Sequence, residues 1–513
     1  MQNMRKSLLL LFITSFLAAN CFTQTNNIYI DPAKGLGNIS PYLYGQFIEY
    51  MGTCIDGGVF EEGSPLSDER GFRLDVLEKV KALKPSMLRF PGGTVVKTFH
   101  WEDGVGSKEN RKSKKNLIWG GINHYHFGTC EFIEYCREIG AEPVLVINLS
   151  TGTPDEAANW VEYCNGTDDT YYANLRRSHG YESPFNVKYW ALGNEEAAEP
   201  DAGRHQNPHK YVEDVWHFIK LMKLTDPSIK LIANGESGQT EWNEIILKGL
   251  DGAIDYISYH AYVGTDYNQP YSIFKKINST EYGIKRFNDI IIENSSAKVE
   301  NWKKWYRFPA RTEPIKIALD EWGIWEQQAP PYGTTNTYEW RHALATAWFL
   351  NVIQRNADYI EMANWAQMVN ILAPIMTNEK TSIRQTVFYP LQAYRQYNLK
   401  ESIYTSVDTH SIEDDLKAID VSATIDRENN LITLFVVNIS QDVQGANLSF
   451  IDTLVDPSVE VITYKSSSLD AKNKLEMPDV DVVLTTKEIV NIKKHHLSLP
   501  GESFTVCKFT ILQ

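Results

Sequence analysis

Short apolar runs recur along the chain before residue 397, and nearly all of them finish on a polar side chain. They are YLYGQFIEY (42–50), SMLRFPGG (86–93), PVLVINL (143–149), VKYWALGNE (187–195), IKLIANG (229–235), IDYISYHAY (254–262), IKIALDEWG (315–323) and YIEMANWAQ (359–367). Their length and β-branched or aromatic content predict strands. Between them lie segments with helical periodicity. LDVLEKVKALK (74–84) and TCEFIEYCREIG (129–140) place apolar residues three and four apart. TPDEAANWVEYC (153–164) opens on Thr-Pro-Asp, a helix-start signal, and YVEDVWHFIKLMK (211–223) and HALATAWFLNVI (342–353) read likewise. Strands alternating with helices in this way predict an α/β fold, a (β/α)8 TIM barrel, with an open doubly wound sheet as the rival. The polar ends favour the barrel. Glu49, Arg89, Asn148, Glu195, Asn234, His260, Glu321 and Gln367 would then ring one mouth, where a barrel keeps its active site.

The pattern changes near residue 397. ATIDRENNLITLFVVNIS (423–440), VEVITYKSS (459–467) and ESFTVCKFTIL (502–512) alternate apolar and polar residues between turns, which predicts an all-β sandwich, jelly-roll-like, over 397–513. The barrel is expected over 38–396, and the strand in 25–37 is expected to join the sandwich. Residues 1–24 place Arg5 and Lys6 before an apolar run from Leu8 to Ala19. That is the pattern of a signal peptide, too short for a comfortable membrane span. It implies export to the periplasm, the exterior or the cell surface, with lipid anchoring at Cys21 as a variant of the same expectation. No later stretch reads as a transmembrane span. After cleavage Cys54, Cys130, Cys136, Cys164 and Cys507 would remain; an odd, scattered set predicts buried free thiols, not a disulfide framework. The basic run KENRKSKK (108–115) reads as a solvated loop.

A formal net charge of −15 argues against nucleic acid and anionic membrane surfaces as partners and suits a neutral substrate. Aromatic residues make up 12% of the chain, with 13 Trp and 27 Tyr, content that serves a large core and a sugar cleft alike. The chemistry is suggested by two strand-end acids. Glycoside hydrolysis needs one carboxyl to protonate the leaving oxygen and a second to attack the anomeric carbon or activate water. Glu195 and Glu321 end the fourth and seventh predicted strands and would face one mouth. Asn194 is placed to hold a sugar hydroxyl. Arg89 is expected to keep Glu321 ionised, and the Glu321 charge to raise Glu195. Adjacent strand residues face opposite sides, so Glu196 and Asp320 are expected to point away from the mouth. His260 is the lone histidine at a strand end, with His124 and His126 in a loop, so neither a metal nor another cofactor is expected.

GNE and DEWG resemble the acid/base and nucleophile motifs of retaining barrel glycosidases. ISPYLYGQFIEYMG, LRFPGGTVVKTFHWEDGVG, YHFGTCEFIEYCREIGAEP, ANWAQMVNILAPI and VFYPLQAYRQY narrow the likeness. Over residues 38–396 the chain resembles glycoside hydrolase family 51, chiefly α-L-arabinofuranosidases with a minority of endo-β-glucanase and β-xylosidase types. The resemblance implies Glu195 as acid/base and Glu321 as nucleophile in a double displacement that retains configuration, with the two carboxyls about 5–5.5 Å apart. It implies Glu49, Asn194, Tyr262 and Gln367 on the furanose hydroxyls, Trp119 beside the leaving group, Thr94 near the sugar, and Arg89 and His260 as supports behind them. The implied substrates are arabinose-containing glycans of plant cell walls, arabinan and arabinoxylan, and the likeness leaves room for a homo-oligomer. Departures are Gln46 where the family often has His, Thr94 where Cys is common, and Glu196-Ala-Ala in place of a Met-containing continuation. The last bears on the leaving-group side. Retention of both carboxylates weighs against the remaining reading, a non-catalytic carbohydrate-binding protein.

Overall fold

The computed structural model describes residues 26–197, 205–296, 299, 302, 306–326, 338–492 and 495–512. The expected signal peptide and Cys21 lie outside them. Eight parallel strands close into a barrel: Gly45–Phe47, Met87–Phe90, Glu142–Ile147, Tyr189–Leu192, Lys230–Ala233, Tyr256–Val263, Lys316–Ile324 and Ile360–Ala366. Each pairs with the next in chain order, and the eighth returns to the first through Asn364↔Gly45. The open-sheet alternative is thereby excluded. All eight predicted runs supply one strand each.

The strands are apolar on both faces because both are covered. Met87, Val144, Val146, Tyr189, Ala191, Ile232, Ala318 and Met362 form a buried cluster inside the barrel. Their strand neighbours Leu88, Leu145, Ile147, Trp190, Leu192, Leu231, Ile317 and Leu319 pack outward against the helices. The five predicted helices are present. That at Pro154–Asn165 starts as its sequence indicates, with Thr153 Oγ1 accepting from the Glu156 amide at 3.1 Å. Among the described residues four further α-helices occur at Tyr171–Ser178, Thr240–Leu250, Ser272–Asn294 and Phe388–Tyr397. The longest, Ser272–Asn294, contains Asn278-Ser279-Thr280 and Gly283, poor helix formers. Burial of Ile273, Phe274, Ile277, Ile284, Phe287, Ile290 and Ile291 outweighs that preference.

The C-terminal strands form an all-β unit, a nine-stranded sheet that includes Asn26–Asn38. That strand runs antiparallel to Glu401–Asp408 and parallel to Gln444–Phe450. The run at 423–440 is a hairpin, Ile419–Asp426 paired with Leu431–Asn438, since Asp426–Asn430 makes the turn. Alternation then sends Ile432, Leu434 and Val436 into the sheet's own core and Phe435 and Val437 onto the barrel. The helix Trp340–Arg355 is buried almost all round because it lies between barrel and sheet. Arg355 Nη1 donates to Asp420 Oδ1 at 2.9 Å and Ser422 Oγ to Asn351 Oδ1 at 2.6 Å, which satisfies polar groups that an isolated barrel would expose. The five described cysteines are all buried free thiols. The basic run 108–115 is more than a solvated loop. Arg111 is anchored on Glu131 by Nη2 at 2.8 Å and on the Gly106 carbonyl at 2.8 Å, and Lys108 pairs with Glu62 at 2.7 Å. Among the described residues no helix is long and apolar enough to cross a membrane.

Candidate active site

The carboxyl ends of the strands surround a cavity of about 100 Å³ lined by Phe47, Glu49, Met51, Gly93, Thr94, Trp119, Asn194, Glu195, Tyr262, Glu321, Trp325, Ala366, Gln367, Ile371 and Leu372. Every substrate-facing residue expected from the sequence is in this set. A wider hollow of about 580 Å³, lined by Thr53, Gly57, Glu61, Thr377 to Lys380 and Leu475, contains none of them.

Glu321 sits inside the seventh strand, not at its end. Pairing there runs Ala318↔Ser258 and then Glu321↔His260, so three residues oppose two, and the same slip recurs against the eighth strand. Such a bulge re-aims side chains beside active sites. The local consequence is that Asp320 and Glu321 reach the same buried arginine. Arg89, 1% exposed, donates from Nη1 to Glu321 Oε1 at 2.6 Å and from Nη2 to Asn194 Oδ1 at 2.8 Å, and its Nε lies 3.4 Å from Asp320 Oδ2. Strict alternation predicted opposite faces for the two acids; the bulge cancels that rule. Asp320 stays beneath the cavity, accepting from Ser258 Oγ at 2.6 Å. Burial alone would raise its carboxyl, but Arg89 and His260 hold it below the ordinary value.

Tyr262 donates its hydroxyl to Glu321 Oε2 at 2.7 Å. On the opposite wall Glu49 Oε1 accepts from Trp119 Nε1 at 2.9 Å and from the Val95 amide at 3.0 Å, while Oε2 accepts from Gln367 Nε2 at 3.1 Å. Gly93 is required here, since a Cβ on it would lie 2.5 Å from Glu49 Oε2. Burial pushes the Glu49 carboxyl up to about 7 despite these donors. Two polar atoms at the cavity, Asn194 Nδ2 and Gln367 Oε1, are buried without a hydrogen-bond partner. Buried polar groups are seldom left so, and both can bond a hydroxyl.

Glu195 follows the fourth strand with φ +44°, an uncommon backbone for a residue with a side chain. His260 Nδ1 lies 2.8 Å from its Oε1 and 3.7 Å from Glu321 Oε2. Among the described residues Glu195, His260 and Glu321 bring one ligand-type atom each within 4.8 Å of one another; Arg89 already occupies one oxygen of Glu321. Burial raises Glu195, but the His260 hydrogen bond and charge, then Arg89 and Lys97, outweigh it and hold the carboxyl below the ordinary value. The rise expected from the Glu321 charge is therefore not found: the Glu195 carboxyl is lowered instead. The shift at the His260 ring runs the other way. Burial lowers that ring, while Glu321, Asp320 and Glu195 together hold it well above the ordinary histidine value.

Glu196 points away from the cavity as expected, into a wholly buried position beside His205. His124 and His126 stand apart, against Ser113 and Glu62. Sequence reading missed Trp325; Asp320, set aside as expected to point away from the mouth, does not line the cavity but meets Arg89 beneath it. Trp325 is 46% exposed at the cavity rim, with its ring edge-on to Tyr262 at 5.4 Å. Its one sequence signal is a tryptophan closing EWGIW just past Glu321.

Comparison with known proteins finds matches to both halves of the chain. Residues 79–279 match the family model for the alpha-L-arabinofuranosidase 1 domain and residues 320–503 that for the alpha-L-arabinofuranosidase C-terminal domain. The chain is 36% identical over 502 residues to a probable alpha-L-arabinofuranosidase C of Aspergillus fumigatus, covering 93% of this chain and 97% of that one. It is 32% identical over 442 residues to the intracellular exo-alpha-(1->5)-L-arabinofuranosidase 1 of Bacillus subtilis, covering 82% and 86%. An alpha-L-arabinofuranosidase from Thermotoga maritima, solved in complex with arabinose, superposes with a TM-score of 0.83 at 33% identity over 95% of this chain and 100% of that one. A GH51 alpha-L-arabinofuranosidase from Thermotoga petrophila does so with the same TM-score and identity over 94% and 100%.

Proposed function

The chain belongs to the α-L-arabinofuranosidases of glycoside hydrolase family 51, and from that premise we propose that it releases terminal, non-reducing α-L-arabinofuranosyl residues by double displacement. One observation carries the reading. Carboxylate oxygens of Glu195 and Glu321 lie within 4.8 Å of each other, across a cavity where Asn194 Nδ2 and Gln367 Oε1 await partners. That proximity suits a retaining pair, with carboxyls about 5–5.5 Å apart, better than an inverting pair, whose carboxyls stand about 6.5–9.5 Å apart to admit a water. A cavity of about 100 Å³ is well below the ~300–1,000 Å³ of sites for drug-sized ligands, which favours one terminal ring over an internal chain segment.

In the first step a Glu321 oxygen attacks the anomeric carbon as the bond to the leaving oxygen breaks, and Glu195 gives that oxygen a proton. In the second, Glu195 takes a proton from water, whose oxygen bonds to the anomeric carbon as Glu321 departs. Arg89 and Tyr262 hold the attacking carboxylate. Substrate entering the cavity expels water around Glu195 and raises its carboxyl, which draws the proton across the 2.8 Å contact from His260. Asn194, Glu49 and Gln367 hold the sugar hydroxyls, and Trp119 and Trp325 border the ring.

The reading extends to arabinan and arabinoxylan of plant cell walls as the source of the sugar, to export directed by residues 1–24, and to room for a homo-oligomer. The Bacillus subtilis relative is named as intracellular, so N-terminal sequencing of the mature protein and cell fractionation test the export. The activity is tested with matched aryl α-L-arabinofuranoside, β-D-xylopyranoside and β-D-glucopyranoside. Preference for the arabinofuranoside is expected; activity confined to the others refutes the substrate while sparing the two-glutamate chemistry. Glu321→Ala should abolish turnover of every substrate. Glu195→Ala should still open substrates with good leaving groups and then accumulate the glycosyl-enzyme. Equal losses with no trapped intermediate would refute the assigned roles.

A further inference from the structure

Glu196 takes no part in the displacement, yet it is a carboxylate with 0% exposure immediately beside Glu195. Its side chain folds back under the turn, so that a Cβ on Gly193 would lie 2.8 Å from its Oε1. Gly193, at φ +85°, therefore meets two demands at once. The Glu196 amide donates to Asn234 Oδ1 at 2.7 Å. Its carbonyl accepts from the His205 amide at 2.9 Å, and its Oε2 lies 2.6 Å from His205 Nδ1. His205 is thus joined to Glu196 by backbone and by side chain. Its other nitrogen, Nε2, lies 3.5 Å from Asp214 Oδ2, and Asp214 pairs with Lys210 at 2.6 Å.

These contacts close a ring beneath the turn. Tyr211 meets the His205 ring edge-on at 5.5 Å, donates its hydroxyl to the Leu192 carbonyl at 3.0 Å and accepts from the Asn234 amide at 2.9 Å. The ring links the end of the fourth strand, the end of the fifth and the helix Pro208–Thr225. Glu195 sits at its apex in a strained backbone region, which persists only where the surroundings over-determine it. Asn194 is held in front by Arg89; Glu196 is held behind by Asn234 and His205. Glu321 takes its hydrogen bonds from Arg89 and Tyr262, neither of which is part of this ring.

We propose that the Glu196–His205 pair is a positioning element for proton donation: it holds the Glu195 carboxyl at the leaving-group oxygen without contributing to attack by Glu321. This rests on Glu195 being the acid/base. Burial lowers the His205 ring, but Glu196 and then Asp214 raise it above the ordinary value. A carboxylate buried this deeply is costly unless so paired. Displacement of a catalytic group by about 1 Å costs roughly 10²-fold, so loosening the turn should fall on whichever step needs Glu195.

The experiment measures kcat/KM over aryl α-L-arabinofuranosides of graded leaving-group acidity. Glu196→Leu should lose roughly tenfold to a hundredfold on the poorest leaving group and little on a dinitrophenolate, giving a steeper dependence. Glu196→Gln, which still accepts from His205, should restore most of the loss. His205→Phe, at the more accessible end of the pair, should reproduce the steep dependence and serves in place of Glu196→Leu if that variant does not fold. A uniform loss over the panel, or a dependence like the parent's, overturns the proposal. Glu195→Ala in the same panel separates the two readings. If it is steep while the pair variants are not, only the positioning role fails; if it too is flat, the acid/base assignment fails.

Discussion

Arg89→Leu is the substitution on which the two halves of the site depend together. The guanidinium bonds Glu321 at 2.6 Å and Asn194 at 2.8 Å and approaches Asp320 at 3.4 Å. Leucine fills much of the space but leaves two neighbouring carboxylates buried without their arginine. Removing one partner of a buried ion pair costs about 3–5 kcal/mol. His260, held above the ordinary histidine value, remains 3.5 Å from Asp320 and 3.7 Å from Glu321, which places the expected loss near the lower end, about 3 kcal/mol. Against a total stability of about 5–15 kcal/mol this is large and measurable by urea unfolding followed through tryptophan fluorescence. Asp320→Asn in the same background removes one stranded charge, so the double variant should recover about 1–3 kcal/mol while activity stays lost. Arg89→Lys keeps the charge without the fork and should fall between. The reasoning is refuted if Arg89→Leu costs under about 1 kcal/mol, or if the Asp320 loss simply adds to it within the ~0.5 kcal/mol expected of independent sites.

Two further outcomes follow from single contacts. Tyr262→Phe deletes one hydroxyl bond to Glu321 Oε2 and should lower kcat/KM by roughly tenfold to a hundredfold, as a bond to a charged group contributes about 1.5–3 kcal/mol; a change under about twofold would show that the bond does not act on the reaction. Glu49, with its folded-state carboxyl at about 7 against an ordinary 4.5, contributes stability that is full below about pH 4.5 and lost as pH rises through about 7. The stability of the parent relative to Glu49→Gln should therefore fall, by an amount on the order of 3 kcal/mol, across that window; a pH-independent difference in melting temperature would refute the buried, proton-binding state.

The barrel was legible because its evidence is local. Each apolar run, such as PVLVINL, carries its own period and length, and its polar end is part of the same run, so eight strands and the candidates Glu195 and Glu321 follow from short windows of chain. The helix Ser272–Asn294 was not legible because tertiary burial, not propensity, stabilises it. The bulge that turns Asp320 onto Arg89 arises from pairing with two neighbouring strands, so no alternation rule within IKIALDEW could announce it. Trp325 becomes a wall of the cavity only when the seventh strand lies beside the sixth.

The electrostatics divide in the same way. Sequence placed two acids at one mouth and expected their mutual repulsion to raise Glu195. The folded chain sets His260 at 2.8 Å from that carboxyl, and the nearer, opposite charge wins. Glu196 and His205 are close in sequence, but their pairing depends on Asn234 and Tyr211 closing around them. Side-chain type and period are properties of a segment and can be read from it. The register between strands, the direction of a carboxyl and the site of a proton depend on groups that the chain brings together from far apart, and only the tertiary structure decides them.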